Sequence, residues 1–123
     1  MTSNRPDFTT RLLIDAGIAE GMRVLDVGCG SGDVSFLLAD LVGKDGEITG
    51  VDHDARAVAI ARERSAAKAH PALTFVQCDL LELPDSMGSF DAIVGRRVLM
   101  YQEDAVATIR ALSKCLRPGG IVV

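Results

Sequence analysis

The sequence predicts an α/β fold, a doubly wound and mostly parallel sheet with helices on both faces, and three observations predict it. Short apolar, β-branched runs alternate with segments of helical periodicity. The first of these runs breaks into a glycine-rich turn that opens directly onto a helix. The 123 residues, 48% hydrophobic and 24% charged, are enough for one domain with its own core and need neither disulfides nor a metal to hold it. Alternation at this spacing implies right-handed βαβ crossovers and hence parallel strands. No repeat or linker divides the chain, so residues 1–123 are expected to form a single ligand-binding domain.

The elements follow in order. Residues 7–19 carry Phe8, Leu12, Leu13, Ala16 and Ile18 among polar positions, a helical pattern that stops at Gly21. Val24 to Val27 is a buried-strand run entering the turn Gly28-Cys29-Gly30-Ser31-Gly32. Val34, Leu37, Leu38, Leu41 and Val42 then form one apolar helix face, with Gly43 as the stop. Ile48 to Val51 is the second strand, closing on Asp52-His53-Asp54. Ala55 to Ala69 is Ala-rich with Arg and Glu, a helix for which Asp54 is the candidate cap. Leu73 to Cys78 and Phe90 to Val94 are the third and fourth strands. Glu103 to Cys115 is a helix whose apolar face is Val106, Ile109, Leu112 and Leu116. Arg117-Pro118-Gly119-Gly120 ends it, and Ile121-Val122-Val123 opens a fifth strand. Because the last residues are apolar strand with no polar cap, the chain is expected to be part of a longer protein.

Charge and cysteine content narrow the function classes. A net charge of −4 and the absence of any Lys/Arg run argue against a broad nucleic-acid or anionic-lipid footprint. Cys29, Cys78 and Cys115 are far apart and lack metal-ligand spacing, as expected of reduced thiols in the cytoplasm. No stretch has the length of a membrane span or the form of a signal peptide.

The chemistry is concentrated where strands end. Gly28, Gly30 and Gly32 lie at the junction of the first strand and its helix, where a doubly wound sheet binds ligands. Glycines there allow positive φ and a close approach to the backbone, although a merely tight turn is the alternative. Asp52 lies 20 residues beyond Gly32, where an acid can accept hydrogen bonds from ribose hydroxyls. Asp33 stands where a dinucleotide fingerprint requires glycine, and its charge is unfavourable beside a pyrophosphate. An acidic mouth suits a phosphate-free, cationic ligand. Asp26, inside an apolar strand, either faces that ligand or accepts N–H groups of the loop. Asp79 follows the third strand and can meet an exocyclic amine or cap a turn. Cys29 and Cys78 flank the pocket as filler without a base partner. His53 is either solvated or set against a ligand ring.

In this order and spacing, Val24-Leu25-Asp26-Val27-Gly28-Cys29-Gly30-Ser31-Gly32 resembles motif I of the class I S-adenosylmethionine-dependent methyltransferases. Phe90-Asp91-Ala92-Ile93-Val94 resembles their fourth-strand motif, and Leu116-Arg117-Pro118-Gly119-Gly120 the turn before their fifth strand. The resemblance covers about residues 22 to 123. It implies a Rossmann-like sheet of seven strands, about five of them present here, and S-adenosylmethionine as cofactor. The positions it assigns to the cofactor are Asp26, Gly28, Cys29, Gly30, Gly32, Asp52, His53, Asp79, Leu80 and Arg96. Asp52 would hold the ribose and Asp79 the adenine amine, while Arg96 would anchor the cofactor carboxylate, a substrate acid or merely a surface partner.

The implied reaction is in-line methyl transfer to a small-molecule acceptor, in which the protein mainly aligns donor and nucleophile. No metal or catalytic base is assigned. Arg96, Arg97, Met100 and Tyr101 follow the fourth strand, where members of the family often place substrate-facing residues. Arg97 reads as exposed, and Tyr101 as either shaping the acceptor site or covering the core. A nucleic-acid or membrane partner is not expected. The oligomeric state is open, with pairing through the fifth strand one option. Two other classes share parts of the pattern: a binding module without catalysis, and an NAD-dependent oxidoreductase, which the glycine spacing and Asp33 disfavour.

Overall fold

The computed structural model describes residues 7–68, 70, 72–84, 87–95 and 104–123. Among them, helix α1 (Phe8–Ala16) leads into strand β1 (Arg23–Val27), followed by α2 (Asp33–Val42), β2 (Glu47–Asp52), α3 (Ala55–Lys68) and β3 (Leu73–Gln77). A single 3-10 turn, Leu80–Glu82, precedes β4 (Phe90–Gly95), α4 (Ala105–Ser113) and β5 (Leu116–Val122). The five strands form one sheet in the order β3-β2-β1-β4-β5, all parallel. The order reverses direction between β1 and β4, the point at which open α/β sheets leave a crevice beyond their carboxyl ends.

Strand alternation sends successive side chains to opposite faces, and the core divides accordingly. Val24, Ile48, Leu73, Phe75, Ala92 and Val94 pack against Leu13 of α1, Phe36 and Leu38 of α2 and Val58 and Ala61 of α3. On the other face Leu25, Val27, Val51, Phe90 and Ile93 meet Leu80, Leu112 and Cys115. Gly50, on the first face, sits where a side chain does not fit: a Cβ there would lie 2.7 Å from Phe75 Cδ1 and 3.1 Å from Cys29 Cβ. Gly50→Ala is therefore expected to destabilise the fold by about 1–3 kcal/mol through overpacking. Urea denaturation measures this, and an unchanged midpoint would show that Phe75 can move aside.

Local chemistry sets the ends of the elements. Asp7 accepts the Thr10 amide at 2.7 Å to start α1, and Gly17, at φ 110°, ends it with its N–H on the Ile14 and Leu13 carbonyls. The leading helix is thus shorter than its sequence pattern, and Phe8 and Leu12 stay exposed while Leu13 and Ile18 are buried. Asp54 caps α3 through the Arg56 amide at 2.9 Å, and Asp104 caps α4 through the Ala107 amide at 3.0 Å. The apolar face expected of α4 is rotated: Val106 and Ile109 are exposed and Thr108 is buried. Thr108 tolerates burial because its hydroxyl donates to the Asp104 carbonyl at 3.0 Å. The fifth strand was expected to open at Ile121 after a turn, but β5 already begins at Leu116. The Arg117-Pro118-Gly119-Gly120 segment is absorbed as an irregularity, Phe90 pairing with Leu116 and Ala92 with Ile121. An outer strand accepts such a bulge and a proline, because one side of its backbone has no ladder to keep.

The amino end of the sheet is fastened by Arg23. Its backbone N–H donates to Asp91 at 2.8 Å. Its guanidinium bonds Glu47 and the Ser89 and Met87 carbonyls and lies 4.8 Å from the centre of the Phe90 ring. Asp91 also takes a hydrogen bond from Arg117 of β5. The Arg23 amide is the main reason its carboxyl lies below the usual range.

Candidate functional site

At the opposite end of the sheet, the segment between β1 and α2 carries Gly28, Gly30 and Gly32 at φ 67°, 56° and 97°, all left-handed. Other residues adopt that conformation only with strain. The glycines differ in what surrounds them. At Gly30 a Cβ would meet nothing within 4 Å, whereas at Gly32 it would come within 3.0 Å of Phe75 and 3.2 Å of Phe36. Gly32 therefore lets the loop settle on the core, and Gly30 leaves its outer side open. The open side belongs to a groove of about 290 Å³ lined by Asp26, residues 28–31, Asp33 and Val34.

Two of the three acids expected at the site act directly on this loop or groove. Asp52, at the end of β2, accepts the Gly30 N–H at 2.9 Å through Oδ2 and the Asp54 N–H at 2.9 Å through Oδ1. A carboxylate has about four acceptor positions, so each oxygen keeps capacity for a further donor. Asp26 shares the α2 face of the sheet and is buried. In place of the loop amides considered for it, its Oδ2 accepts the Ser35 hydroxyl of α2 at 2.5 Å. Its position in the groove wall nevertheless keeps it beside any ligand there. Asp79 lies two residues past β3 at the same end of the sheet. Its side chain caps the 3-10 turn by accepting the Leu81 N–H at 2.9 Å through Oδ1.

Burial pushes the Asp26 carboxyl up to about 7, against the Ser35 hydrogen bond and with help from the Asp52 charge. The folded value lies above the unfolded one, so the folded chain keeps a proton that the unfolded chain has released. The stability that Asp26 contributes is then full below about pH 4 and is lost as pH rises towards 7, by up to about 1.4 kcal/mol per pH unit. Asp26→Asn keeps a hydrogen-bonding group beside Ser35 and is expected to flatten that decline in urea titrations at a series of pH values. An equally steep decline in the variant would assign it to another group.

The remaining candidates are placed as follows. Cys29 is buried in the wall, and burial together with Asp26 and Asp52 pushes its thiol up to about 12; a thiol held neutral is filler rather than nucleophile. Burial likewise raises Cys78. Cys29 and Cys78 are free thiols. His53 projects outward with its side chain 88% exposed and Nδ1 3.5 Å from Asp52. Leu80 packs its side chain into the second core face. Arg96, Arg97, Met100 and Tyr101 lie outside the described residues.

Asp33 departs from its expected role as a bare negative charge at the mouth. Arg64 of α3 reaches across and pairs with it at 2.8 Å, offsetting the charge that was to repel a pyrophosphate. The spacing of the glycines, with left-handed Gly32 at the start of α2, then carries the distinction from a dinucleotide site. Neither Arg64 nor Ser35 was found from the sequence. Their partners are other elements, and a polar residue within a helical run has no local mark of burial.

A doubly wound parallel sheet with a glycine loop at its switch point and acids on adjacent strand ends defines a nucleoside-ligand domain. The chain belongs to the methyltransferase-domain family, which it matches over residues 18–123. It is 34% identical over 113 residues to a demethylmenaquinone methyltransferase of Staphylococcus aureus strain MRSA252, an alignment covering 92% of this chain and 46% of that protein. The chain thus spans about half the length of the curated relatives it matches. Among solved structures, the [4+2]-cyclase SpnF superposes with a TM-score of 0.82 at 30% identity, over 92% of this chain and 42% of that one. CrArsM, an arsenic(III) S-adenosylmethionine methyltransferase from Chlamydomonas reinhardtii, superposes with a TM-score of 0.76 at 27% identity, over 96% and 48%. Among the described residues no helix is long and apolar enough to cross a membrane.

Proposed function

We propose that this chain is the cofactor-binding part of an S-adenosylmethionine-dependent methyltransferase acting on a small-molecule acceptor in the cytoplasm. The observation that carries the reading is the open left-handed Gly30 tied to Asp52 at 2.9 Å. It joins a surface without side chains to an acid with acceptor capacity left for a ribose. The residues fit the group: the groove takes the methionine portion, Asp52 the ribose hydroxyls, and the region of Asp79 and His53 the base. S-adenosylmethionine, when bound, supplies a methyl group on an already activated sulfonium.

The chain's own residues bind and orient. The glycine surface of the loop fixes the donor's position, and Asp52 fixes its rotation about the ribose. Asp26, near neutrality in its buried setting, can ionise opposite a positive charge, which favours a cationic ligand over a neutral one. Alignment of this kind is the main contribution a displacement with an activated leaving group requires. The likeness to a demethylmenaquinone methyltransferase makes a demethylated quinone the first acceptor to test. A second reading, a cofactor-binding domain that does not transfer the methyl group, is favoured by the cyclase among the structural neighbours.

Calorimetry with S-adenosylmethionine, S-adenosylhomocysteine and NAD tests the site. Binding of the first two is expected, and binding of NAD alone would overturn the reading. Transfer of radiolabelled methyl to a quinone acceptor by the full-length protein separates the methyltransferase from the binding domain.

A further inference from the structure

We infer that Arg64, on a helix outside the glycine loop, is a positioning residue that clasps the loop in its ligand-accepting shape; this rests on the loop being the S-adenosylmethionine site. One Arg64 nitrogen, Nη1, donates to the Ser31 carbonyl at 2.8 Å and to Asp33 Oδ1 at 2.8 Å, with the Ser31 hydroxyl at 3.5 Å. The guanidinium lies 4.7 Å from the centre of the Phe36 ring. That ring meets Phe75 edge-on at 6.1 Å, and these are the two rings on which Gly32 rests. The arginine therefore closes over the far half of the loop while the aromatic pair supports it from beneath.

The near half is held by different groups. Gly30 donates to Asp52, and Cys29 donates to the Val51 carbonyl at 2.9 Å. Asp52 also accepts the N–H of Asp54, and Asp54 caps α3, the helix that carries Arg64. A closed circuit results, running from the loop to Asp52, through the cap into α3, and back through Arg64 to the loop. A segment with three left-handed glycines has little conformational preference of its own, so its shape must come from such tertiary bonds. Ordering it before the ligand arrives removes that cost from binding. Charge-assisted bonds to a carbonyl and a carboxylate are the strong kind, and a guanidinium that both bonds the loop and lies over the Phe36 ring does what lysine reproduces only in part.

Titration calorimetry with S-adenosylhomocysteine tests this on the wild-type chain and on Arg64→Ala, Arg64→Lys, Asp33→Asn and the Arg64→Ala/Asp33→Asn double variant. Arg64→Ala is expected to weaken binding about ten-fold with little change in the urea midpoint. Arg64→Lys should recover part of the loss. Asp33→Asn should weaken binding about three-fold in the wild-type background, and much less once Arg64 is absent. Wild-type affinity in Arg64→Ala, or independent effects of the two positions, would overturn the clasp. If Arg64→Ala does not fold, the exposed Asp33→Asn decides, and unchanged affinity there overturns it. Failure of the wild-type chain to bind S-adenosylmethionine and S-adenosylhomocysteine would overturn the reading of the site and the clasp with it. Binding that Arg64→Ala leaves intact overturns the clasp alone.

Discussion

Gly30→Val is expected to abolish measurable S-adenosylhomocysteine binding, a loss of at least about 100-fold, while far-UV circular dichroism stays that of the folded chain. Two effects combine. A β-branched residue at φ 56° is strained by roughly 1–3 kcal/mol, and the new side chain occupies the open side of the loop, which the proposed function gives to the ligand. Because nothing lies within 4 Å of that position in the protein, the added methyl groups disturb the site and leave the core alone. Gly32→Ala is the contrasting variant. Its Cβ would press on Phe75 and Phe36, so it is expected to lower the urea midpoint first. Global unfolding by Gly30→Val would instead make that glycine structural.

Asp52→Ala is expected to weaken binding of the same ligand by more than about ten-fold, since the proposed site has this carboxylate accept charge-assisted bonds from the ribose hydroxyls. Losing this carboxylate also releases the Gly30 and Asp54 N–H groups, so loop and helix cap loosen together. Asp52→Asn, which keeps one acceptor oxygen, should fall between. Calorimetry on the three proteins checks the order, and affinity unchanged in Asp52→Ala would remove this residue from the site.

The alternation of strands and helices was legible because each strand is a compact apolar run and the helices between them have periodic faces or Ala-rich composition. Val24 to Val27 and Ile48 to Val51 fall within one residue of the observed strands. The glycine loop and Asp52 were legible because the loop's features are contiguous and their spacing is a property of one βαβ unit. What was missed depends on contacts between elements. Thr108 looks like a surface position until its hydroxyl finds the Asp104 carbonyl, and Val106 and Ile109 then fall outside the buried stripe. The Pro118-Gly119-Gly120 run has the composition of a turn, and only pairing with β4 makes it part of a strand. Asp33 looks like an isolated charge until α3 packs beside α2 and brings Arg64 within reach.

The Arg23 cluster and the glycine loop sit at opposite ends of the same five-residue strand, about 15 Å apart at the rise of a β-strand. Substitutions separated by more than about 7–10 Å without shared partners usually have independent effects. Sequence drift at the Arg23 rim can therefore raise or lower the melting temperature while leaving recognition untouched.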